Sequence, residues 1–152
     1  MARVNVITAT SNHDCPKQMK RTGMWLIEVI DKGFPETKEG FLERESITNK
    51  EISLQLLINA LTMAKRFNVD FEEICIFSDC EYIRSAFNNQ WLDKWSESEW
   101  KNAKGKEISN KELWQMVWEL LTSVGERYIL PKERSSFDNW MHDQIDKKLK
   151  NG

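Results

Sequence analysis

The sequence predicts a single mixed α/β domain, residues 1–152, built on a five-stranded sheet with helices on both faces. Two observations predict this fold class. Three strand-like segments follow one another without a helix, and two later strand-like segments are each preceded by helical segments. Consecutive strands favour antiparallel pairing and helix-linked strands favour parallel pairing, so together they indicate a mixed sheet. A chain of 152 residues with 40% hydrophobic side chains can bury the core that such a sheet needs.

The first three strands are predicted from alternating apolar residues and β-branched side chains. They cover residues 3–10, 23–30 and 40–47. The sequence between the second and third strands, DKGFPETKEG, is rich in turn-forming residues, so we expect a hairpin loop across residues 31–40. The three strands should pair as an antiparallel meander.

A long amphipathic helix is predicted next, in the sequence TNKEISLQLLINALTMAKRF. Its apolar stripe consists of Ile52, Leu56, Ala60 and Met63. Thr48 is expected to cap the amino terminus of this helix, and Glu51, three residues later, completes a capping box.

The nearly all-apolar segment EICIFS, residues 73–78, predicts a central strand that is covered on both faces. Asp79 follows its carboxyl end and precedes a helical segment, CEYIRSAFNN. Further helices are predicted at residues 110–124 and 139–150, with a short fifth strand between them at residues 127–131.

Composition restricts the classes of function to be considered. The 22 Lys and Arg residues against 24 Asp and Glu give a net charge of −2, so an argument for nucleic-acid binding must come from local clusters. The three cysteines, Cys15, Cys75 and Cys80, form no CxxC pair, which fits a reducing compartment and disfavours a zinc site. The sequence shows neither a signal-peptide segment nor an apolar run of membrane-helix length, so we expect a cytoplasmic protein without a membrane partner.

Four of the seven tryptophans, Trp91, Trp95, Trp100 and Trp114, lie in one charged stretch, WLDKWSESEWKNAKGKEISNKELW. Residues 94–111 contain five lysines and three glutamates, a net charge of +2. Indoles bury a large area at little cost in conformational entropy, and lysine stems lie along such surfaces with their ammonium groups in water. Two interpretations stay open: a rigid platform surrounded by cations, or a packed corner between helices.

Four motifs resemble those of type I ribonuclease H. VITATS is similar to the Thr-Asp-Gly-Ser of the family's first strand, ITNKEISLQLLINAL to its Thr-Asn helix start, and IFSDCEYIRSAFN to its Asp-Ser-Gln-Tyr turn. The tryptophan-rich stretch is similar to the family's handle, a basic protrusion, here at about residues 91–110. The resemblance covers almost the whole chain and implies a ribonuclease H-like fold.

The resemblance also implies a nucleic-acid interface. In the family, packed tryptophans of the handle form a platform whose lysines hold the DNA strand of an RNA–DNA hybrid. The residues at these positions are Trp91, Lys94, Trp95, Trp100, Lys101, Lys104 and Lys106. Thr48 and Asn49 match family contacts with phosphate and 2′-hydroxyl groups, although helix capping alone would also explain Thr48. Glu81 replaces a family glutamine that reaches the minor groove; phosphates would repel its carboxylate, although it could accept a hydrogen bond from a guanine amino group.

The family cleaves the RNA strand with two divalent cations, Mg²⁺ or Mn²⁺, held by four carboxylates. These positions fall on Ala9, Ser53, Asp79 and Asp143, the last through a motif that begins at Asn139. Asp79 and Asp143 are therefore the residual catalytic and metal-binding candidates, because the other two positions carry a methyl and a hydroxyl group. Asp14 is a candidate for compensation, whereas Glu51 should point away from Ser53, about 200° around the helix.

Asp79 and His142 could each have a structural role instead of a catalytic one. Asp79 could instead cap the helix that follows it. His142 adjoins Asp143, but adjacent helix positions diverge, so we expect His142 to pack or cap rather than to act as an acid or base. The loop KERSSFD contains no histidine, whereas the family loop often carries one that helps to release product.

The favoured hypothesis is a ribonuclease H-like domain that binds RNA–DNA hybrid or double-stranded RNA. Its metal-dependent cleavage would be lost or strongly weakened, with Mg²⁺ or Mn²⁺ as cofactor or none. The first alternative is an active hybrid-specific ribonuclease with a rearranged metal site. The second is a protein-interaction module that keeps only the fold and binds a protein partner.

Overall fold

The structure, a computed structural model, describes residues 2–124, 130–132 and 135–151. Its strands are β1 Ala2–Thr10, β2 Met19–Asp31, β3 Phe34–Ile47, β4 Glu73–Ser78 and β5 Leu130–Lys132. Its helices are α1 Asn49–Lys65, α2 Glu81–Asn88, α3 Trp91–Glu97, α4 Lys111–Val124 and α5 Asp138–Asn151. This order confirms the mixed α/β prediction. Residues 127–129 of the predicted fifth strand lie outside the described residues.

The strands form one mixed sheet in the order β3-β2-β1-β4-β5. β1 pairs with β2, and β2 with β3, in antiparallel fashion, as the meander prediction requires. β4 is parallel to both of its neighbours, β1 and β5. Because β1 and β4 are parallel neighbours, with Thr8 opposite Ser78, their carboxyl ends meet at the same edge of the sheet.

The prediction of a loop over residues 31–40 is wrong. Asp31 pairs with Phe34, so the turn contains only Lys32 and Gly33, and the rest of the segment belongs to β3. Both turn residues have positive φ, 57° and 117°, a backbone shape that matches the twist of the flanking strands. β3 is an edge strand, which tolerates the proline near its start because one row of its amides needs no partner in the sheet.

Two hydrophobic clusters cover the two faces of the sheet, as predicted. The larger cluster joins β1, β2 and β4 to α1, α2 and α4, and it contains the fully buried Trp114. The smaller cluster lies beneath α5 and consists of Ile7, Ala9, Met24, Leu26, Cys75, Phe77, Met141 and Ile145. Among the described helices, none combines the length and apolar character needed to cross a membrane.

Candidate nucleic-acid and catalytic site

Asp79 is anchored at the edge of the sheet where β1 and β4 end. The backbone N–H of Thr10, the last residue of β1, donates a hydrogen bond of 2.9 Å to Oδ2 of Asp79. The hydroxyl of Thr8 donates to Oγ of Ser78 at 3.2 Å, which ties the two strands together just before this point. The residue that caps α2 is Cys80, without a side-chain hydrogen bond, so the capping alternative for Asp79 does not hold. The carboxylate faces a cleft instead.

The chain's two histidines flank this carboxylate. Nδ1 of His13 and Nε2 of His142 each lie 3.7 Å from Oδ2 of Asp79, and the ring centroids are 5.8 Å apart. His13 belongs to the loop between β1 and β2, and His142 belongs to α5. Asp143 is exposed and does not line the cavities described below. The structure therefore brings His142, and not its neighbour Asp143, to Asp79.

Positions 9 and 53 contribute no acidic group to the cleft. Ala9 is 1% exposed within the apolar cluster beneath α5. Ser53 is fully buried in α1, and its hydroxyl has no hydrogen-bond partner among the described residues. Oδ1 of Asp79 is also buried without such a partner.

A cavity of about 340 Å³ opens beside Asp79. It is lined by His13, Asp14, Asp79, Arg84, Asp138, Asn139 and His142. The side chain of Asp14, the candidate for compensation, is 94% exposed, and its Oδ1 lies 3.3 Å from Nε2 of His13. Both carboxylate oxygens of Asp138 accept hydrogen bonds from Ser135 at the start of α5. Asp14 and Asp138 thus reach the rim of the cleft, while Asp79 lies at its base.

Burial raises the pKa of the Asp79 carboxyl group above its ordinary value. The hydrogen bond from Thr10 and the attraction of His13 and His142 act in the opposite direction, and the negative charge of Asp138 adds to the increase. Because loss of hydration is the largest of these effects, Asp79 keeps its proton to a higher pH than an exposed aspartate does.

The start of α1 forms a second wall of the cleft. Oγ1 of Thr48 accepts a hydrogen bond of 3.2 Å from the backbone N–H of Glu51, which confirms the predicted helix cap. The side-chain amide of Asn49 donates to the backbone carbonyl of His13 at 2.9 Å. Oδ1 of Asn49 is buried and has no hydrogen-bond partner among the described residues. Asn49 therefore joins α1 to the loop that carries His13.

The tryptophan-rich stretch folds into α3, a turn and the start of α4. Ring centroids are 5.7 Å apart for Trp91 and Trp95, and 6.3 Å apart for Trp95 and Trp100. Trp95 also packs at 5.5 Å on Trp114 in the core. The exposed cations of this stretch include Lys94, Lys101, Lys104 and Lys106. A second cavity, of about 420 Å³, extends from His13, Asn49 and Asp79 in the cleft to Trp91, the first indole of this row.

Comparison with known proteins decides the family. Residues 8–145 match the ribonuclease H (RNase H) family profile. The chain belongs to the ribonuclease H family. Ribonuclease H of Clostridium botulinum strain Hall is 33% identical over 115 residues, which are 74% of this chain and 69% of that protein. Ribonuclease H of Caldicellulosiruptor saccharolyticus is 31% identical over 99 residues, which are 65% of this chain and 64% of that protein, or just under two thirds of its length.

Solved structures share the ribonuclease H fold of this chain. RNase H1 from the halophilic archaeon Halobacterium salinarum has a TM-score of 0.62 at 16% identity, over 99% of both chains. LC11-RNase H1, solved in complex with an RNA/DNA hybrid, has a TM-score of 0.58 at 17% identity, over 96% of this chain and 99% of that chain. A foamy viral protease-reverse transcriptase, also solved with an RNA/DNA hybrid, has a TM-score of 0.64 at 14% identity, over 95% and 19%. These matches confirm the predicted fold.

The divalent cations that ribonuclease H proteins generally use do not fit this cleft. Mg²⁺ and Mn²⁺ prefer carboxylate, carbonyl and water oxygens, whereas the groups that meet at the base of the cleft are one carboxylate, Asp79, and two imidazoles, with Asp14 and Asp138 only at the rim. The buried Ala9 and Ser53 supply no anionic oxygen. Within residues 2–124, 130–132 and 135–151, no three His, Cys, Asp or Glu side chains are arranged to hold a metal ion. The donor set is therefore unsuited to a pair of hard cations.

Three residues of this ribonuclease H cleft, His13, Arg84 and Asp138, were absent from the predicted site. His13 was not assigned to the site because the path of the loop after β1 could not be predicted. Arg84 of α2 lines both cavities, and its guanidinium donates to the backbone carbonyl of Ser78 at 2.8 Å. A signal was available for His13: it is one of only two histidines and follows closely after the position of the missing aspartate, Ala9.

Proposed function

We propose that this ribonuclease H-family chain binds RNA–DNA hybrid or double-stranded RNA, and that its metal-dependent cleavage of RNA is lost or strongly weakened. One observation carries the proposal: Ala9 and Ser53, which the motif resemblance aligns with two of the family's cation-binding positions, are buried and carry no carboxylate. A two-metal reaction needs anionic oxygens that hold both cations while water attacks and the leaving oxygen departs. A methyl group and a neutral hydroxyl cannot provide them.

The handle, residues 91–110, supports the binding half of the proposal. Exposed lysines on a rigid aromatic base can neutralise phosphates and release counterions, which makes binding strongly salt-dependent. Nearby glutamates reduce this field: Glu99 lies 4.0 Å from the ammonium group of Lys101, and Glu107 lies 3.1 Å from that of Lys111. We therefore expect moderate affinity. Two proteins of the same fold, LC11-RNase H1 and the foamy viral enzyme, were solved with RNA/DNA hybrids.

The start of α1 supports recognition of an A-like duplex. Such duplexes display 2′-hydroxyl groups in a wide, shallow minor groove, where short polar side chains can reach them. Asn49 lines the cavity that leads to the handle, and its buried Oδ1 has no partner among the described residues, so a 2′-hydroxyl could reach this oxygen only if the side chain turns toward the cavity. The Thr48 hydroxyl is already engaged in capping, so Asn49 is the better candidate for a 2′-hydroxyl contact.

Gel-shift titration tests binding. RNA–DNA hybrid, duplex RNA and duplex DNA of one sequence would be compared at two salt concentrations. We expect the hybrid and duplex RNA to bind more tightly than duplex DNA, and binding to weaken at the higher salt. Absent or salt-insensitive binding to all three duplexes would contradict the proposal. A protein partner recovered after nuclease treatment would then favour the protein-interaction module.

An active nuclease with a rearranged site is the second candidate, because Asp14 and Asp138 line the same cavity as Asp79. It predicts cleavage of the hybrid that depends on Mg²⁺ or Mn²⁺, is abolished by Asp79→Asn and is reduced by Asp14→Asn. Asp70→Asn, an exposed aspartate outside the cleft, is the matched control. Absence of cleavage with either metal at high enzyme concentration would eliminate this candidate and support the first.

A further inference from the structure

Arg21, in β2, is a fully buried arginine whose guanidinium group is surrounded by backbone carbonyls. Its Nε donates to the carbonyl oxygen of Ile47 at 2.9 Å. Its two terminal nitrogens donate to the carbonyl oxygens of Ser11 at 3.3 Å and of Asn12, Cys15 and Lys17 at 2.6 Å each. A guanidinium has five N–H groups, so every donor of Arg21 has an acceptor.

This arrangement is specific to arginine. A buried charge normally requires an opposite charge or a full set of hydrogen bonds. Among the described residues, Arg21 contacts no carboxylate, and carbonyl dipoles alone compensate its charge. A lysine has three N–H donors and no planar fork, so at least two of the five carbonyls would lose their partner if lysine replaced it.

The carbonyls belong to two separate segments of the chain. Four belong to the β1–β2 loop (residues 11–18), and the fifth is the carbonyl of Ile47 at the end of β3. Within this loop, Asn12 adopts a left-handed conformation with φ of 52°, and the Cys15 N–H donates to the Asn12 carbonyl at 3.1 Å. Arg21 thereby fastens the loop to Ile47, which directly precedes Thr48, the cap residue of α1.

The same loop carries His13 into the cleft. The His13 carbonyl accepts a hydrogen bond from Asn49, while Nδ1 of its ring lies 3.7 Å from the Asp79 carboxylate. The loop is therefore held by Arg21 on its inner side and by Asn49 on the side of the cleft. A loop with one left-handed residue and few apolar side chains would otherwise have many conformations to lose on binding.

We propose that Arg21 is a positioning residue, which holds the β1–β2 loop so that His13 lies against Asp79 and the loop is preordered to contact a nucleic acid. The first part concerns the free protein alone. The second part rests on the proposed function, because it assumes that the cleft is the nucleic-acid face. Preordering lowers the entropy lost on binding, so loosening the loop should weaken binding without removing a direct contact.

The main test compares Arg21→Lys with Arg44→Lys, a control at an exposed arginine of β3. Hydrogen exchange of the Cys15 amide should become about tenfold faster in Arg21→Lys, because at least two buried carbonyls lose their hydrogen bonds. Exchange in the centres of β1 and β4 should stay within about twofold of the unmodified chain. Equal acceleration at all amides would indicate a purely structural role and overturn the proposal, as would unchanged exchange at Cys15.

The NMR signals of the two imidazole rings distinguish a displaced His13 from a general loss of stability. The chain has two histidines, so two sets of ring signals are expected. In folded Arg21→Lys, the His13 signals should move more than those of His142, and hybrid affinity should fall by about three- to tenfold. Unchanged His13 signals would overturn the positioning role.

Arg21→Ala is a second variant, which leaves five carbonyl oxygens around an empty space. Guanidinium ion at a concentration below the denaturing range should slow exchange at Cys15 in this variant, whereas the same concentration of sodium chloride should not. Equal effects of the two salts would contradict the proposal. If the unmodified chain binds no duplex, the proposed function is wrong. Hydrogen exchange at Cys15 and the NMR signals of the His13 imidazole would still test whether Arg21 holds the loop in place.

Discussion

Nε2 of His142 lies 3.7 Å from Oδ2 of Asp79 and brings an imidazole of α5 to the end of β4. Asp143, the next residue, is exposed, since neighbouring side chains on a helix diverge by about 100°. With His13 at the same distance on the other side, Asp79 is a buried carboxylate between two imidazoles. The local chemistry is therefore that of one desolvated acid and two weak bases.

Asp79→Asn should increase the stability of the free protein at neutral pH. Burial raises the Asp79 pKa, so the unfolded chain loses this proton at a lower pH than the folded chain does. Stability of the unmodified chain should fall as pH rises from about 3.8, the ordinary value, through the raised value, and the variant should lack this loss. Urea unfolding from pH 4 to 7 would measure it, with Asp70→Asn as control. A variant less stable at pH 7 would contradict the prediction.

Ala9→Asp should destabilise the metal-free protein by about 3 kcal/mol or more, because it buries a second charge close to Asp79 within an apolar cluster. Ala9→Asn, which adds the same volume without the charge, should cost less. Since two carboxylates bind a divalent cation better than one, Mg²⁺ should raise the Tm of Ala9→Asp more than that of Ala9→Asn or the unmodified chain. An equal response of all three to Mg²⁺ would argue against position 9 facing the same site as Asp79.

Neutralising Lys94 and Lys104 should reduce the salt dependence of hybrid binding. Each lost phosphate contact is expected to lower the slope of log K against log salt by about 0.7–0.9. Lys38→Gln, on the edge strand β3, is the control and should leave the slope unchanged. If Lys94→Gln and Lys104→Gln behave like this control, the handle does not contact phosphates in this chain.

Thr48→Ala should reduce the free energy of unfolding by about 1 kcal/mol, because the Glu51 N–H loses its acceptor. Thr48→Ser keeps the oxygen and should differ from the unmodified chain by only a few tenths of a kcal/mol. Urea unfolding would compare all three. If Thr48→Ser also loses hybrid affinity while it keeps stability, then Thr48 has a binding role beyond its cap.

Trp114→Ala should lower the free energy of unfolding by about 3–5 kcal/mol, since it leaves a large cavity in the core. It also removes the 2.9 Å hydrogen bond from the Trp114 indole N–H to the hydroxyl of Tyr82, and Tyr82→Phe should cost only about 1 kcal/mol. Trp140→Ala, at a tryptophan that is 41% exposed, is the control and should cost much less. A small loss for Trp114→Ala would show that the handle is not anchored in the core through this residue.

Local sequence patterns predicted the secondary structure correctly where a segment is buried on all sides or on one regular face. The strand at residues 73–78 was predicted without error, because a short, nearly all-apolar segment is typical of a strand that is covered on both faces of a sheet. The cap at Thr48 was also correct, since it depends on atoms three residues apart. The β2–β3 hairpin was predicted but with too long a loop, because Gly and Pro favour both long loops and two-residue turns, and pairing with β2 decided between them.

The sequence by itself determined the order of the strands and helices, the family and the absence of carboxylates at positions 9 and 53, because each follows from residue types at fixed spacings. Only the tertiary structure decided that His13 and His142 meet at Asp79, and that Arg21 fastens the loop which brings one of them there. These contacts join residues that are distant along the chain, or depend on the path of an irregular loop. Such contacts leave no periodic signal in the sequence. The contact of His142 depends on how α5 packs on the sheet, and the contacts of Arg21 depend on where the loop places its backbone carbonyls.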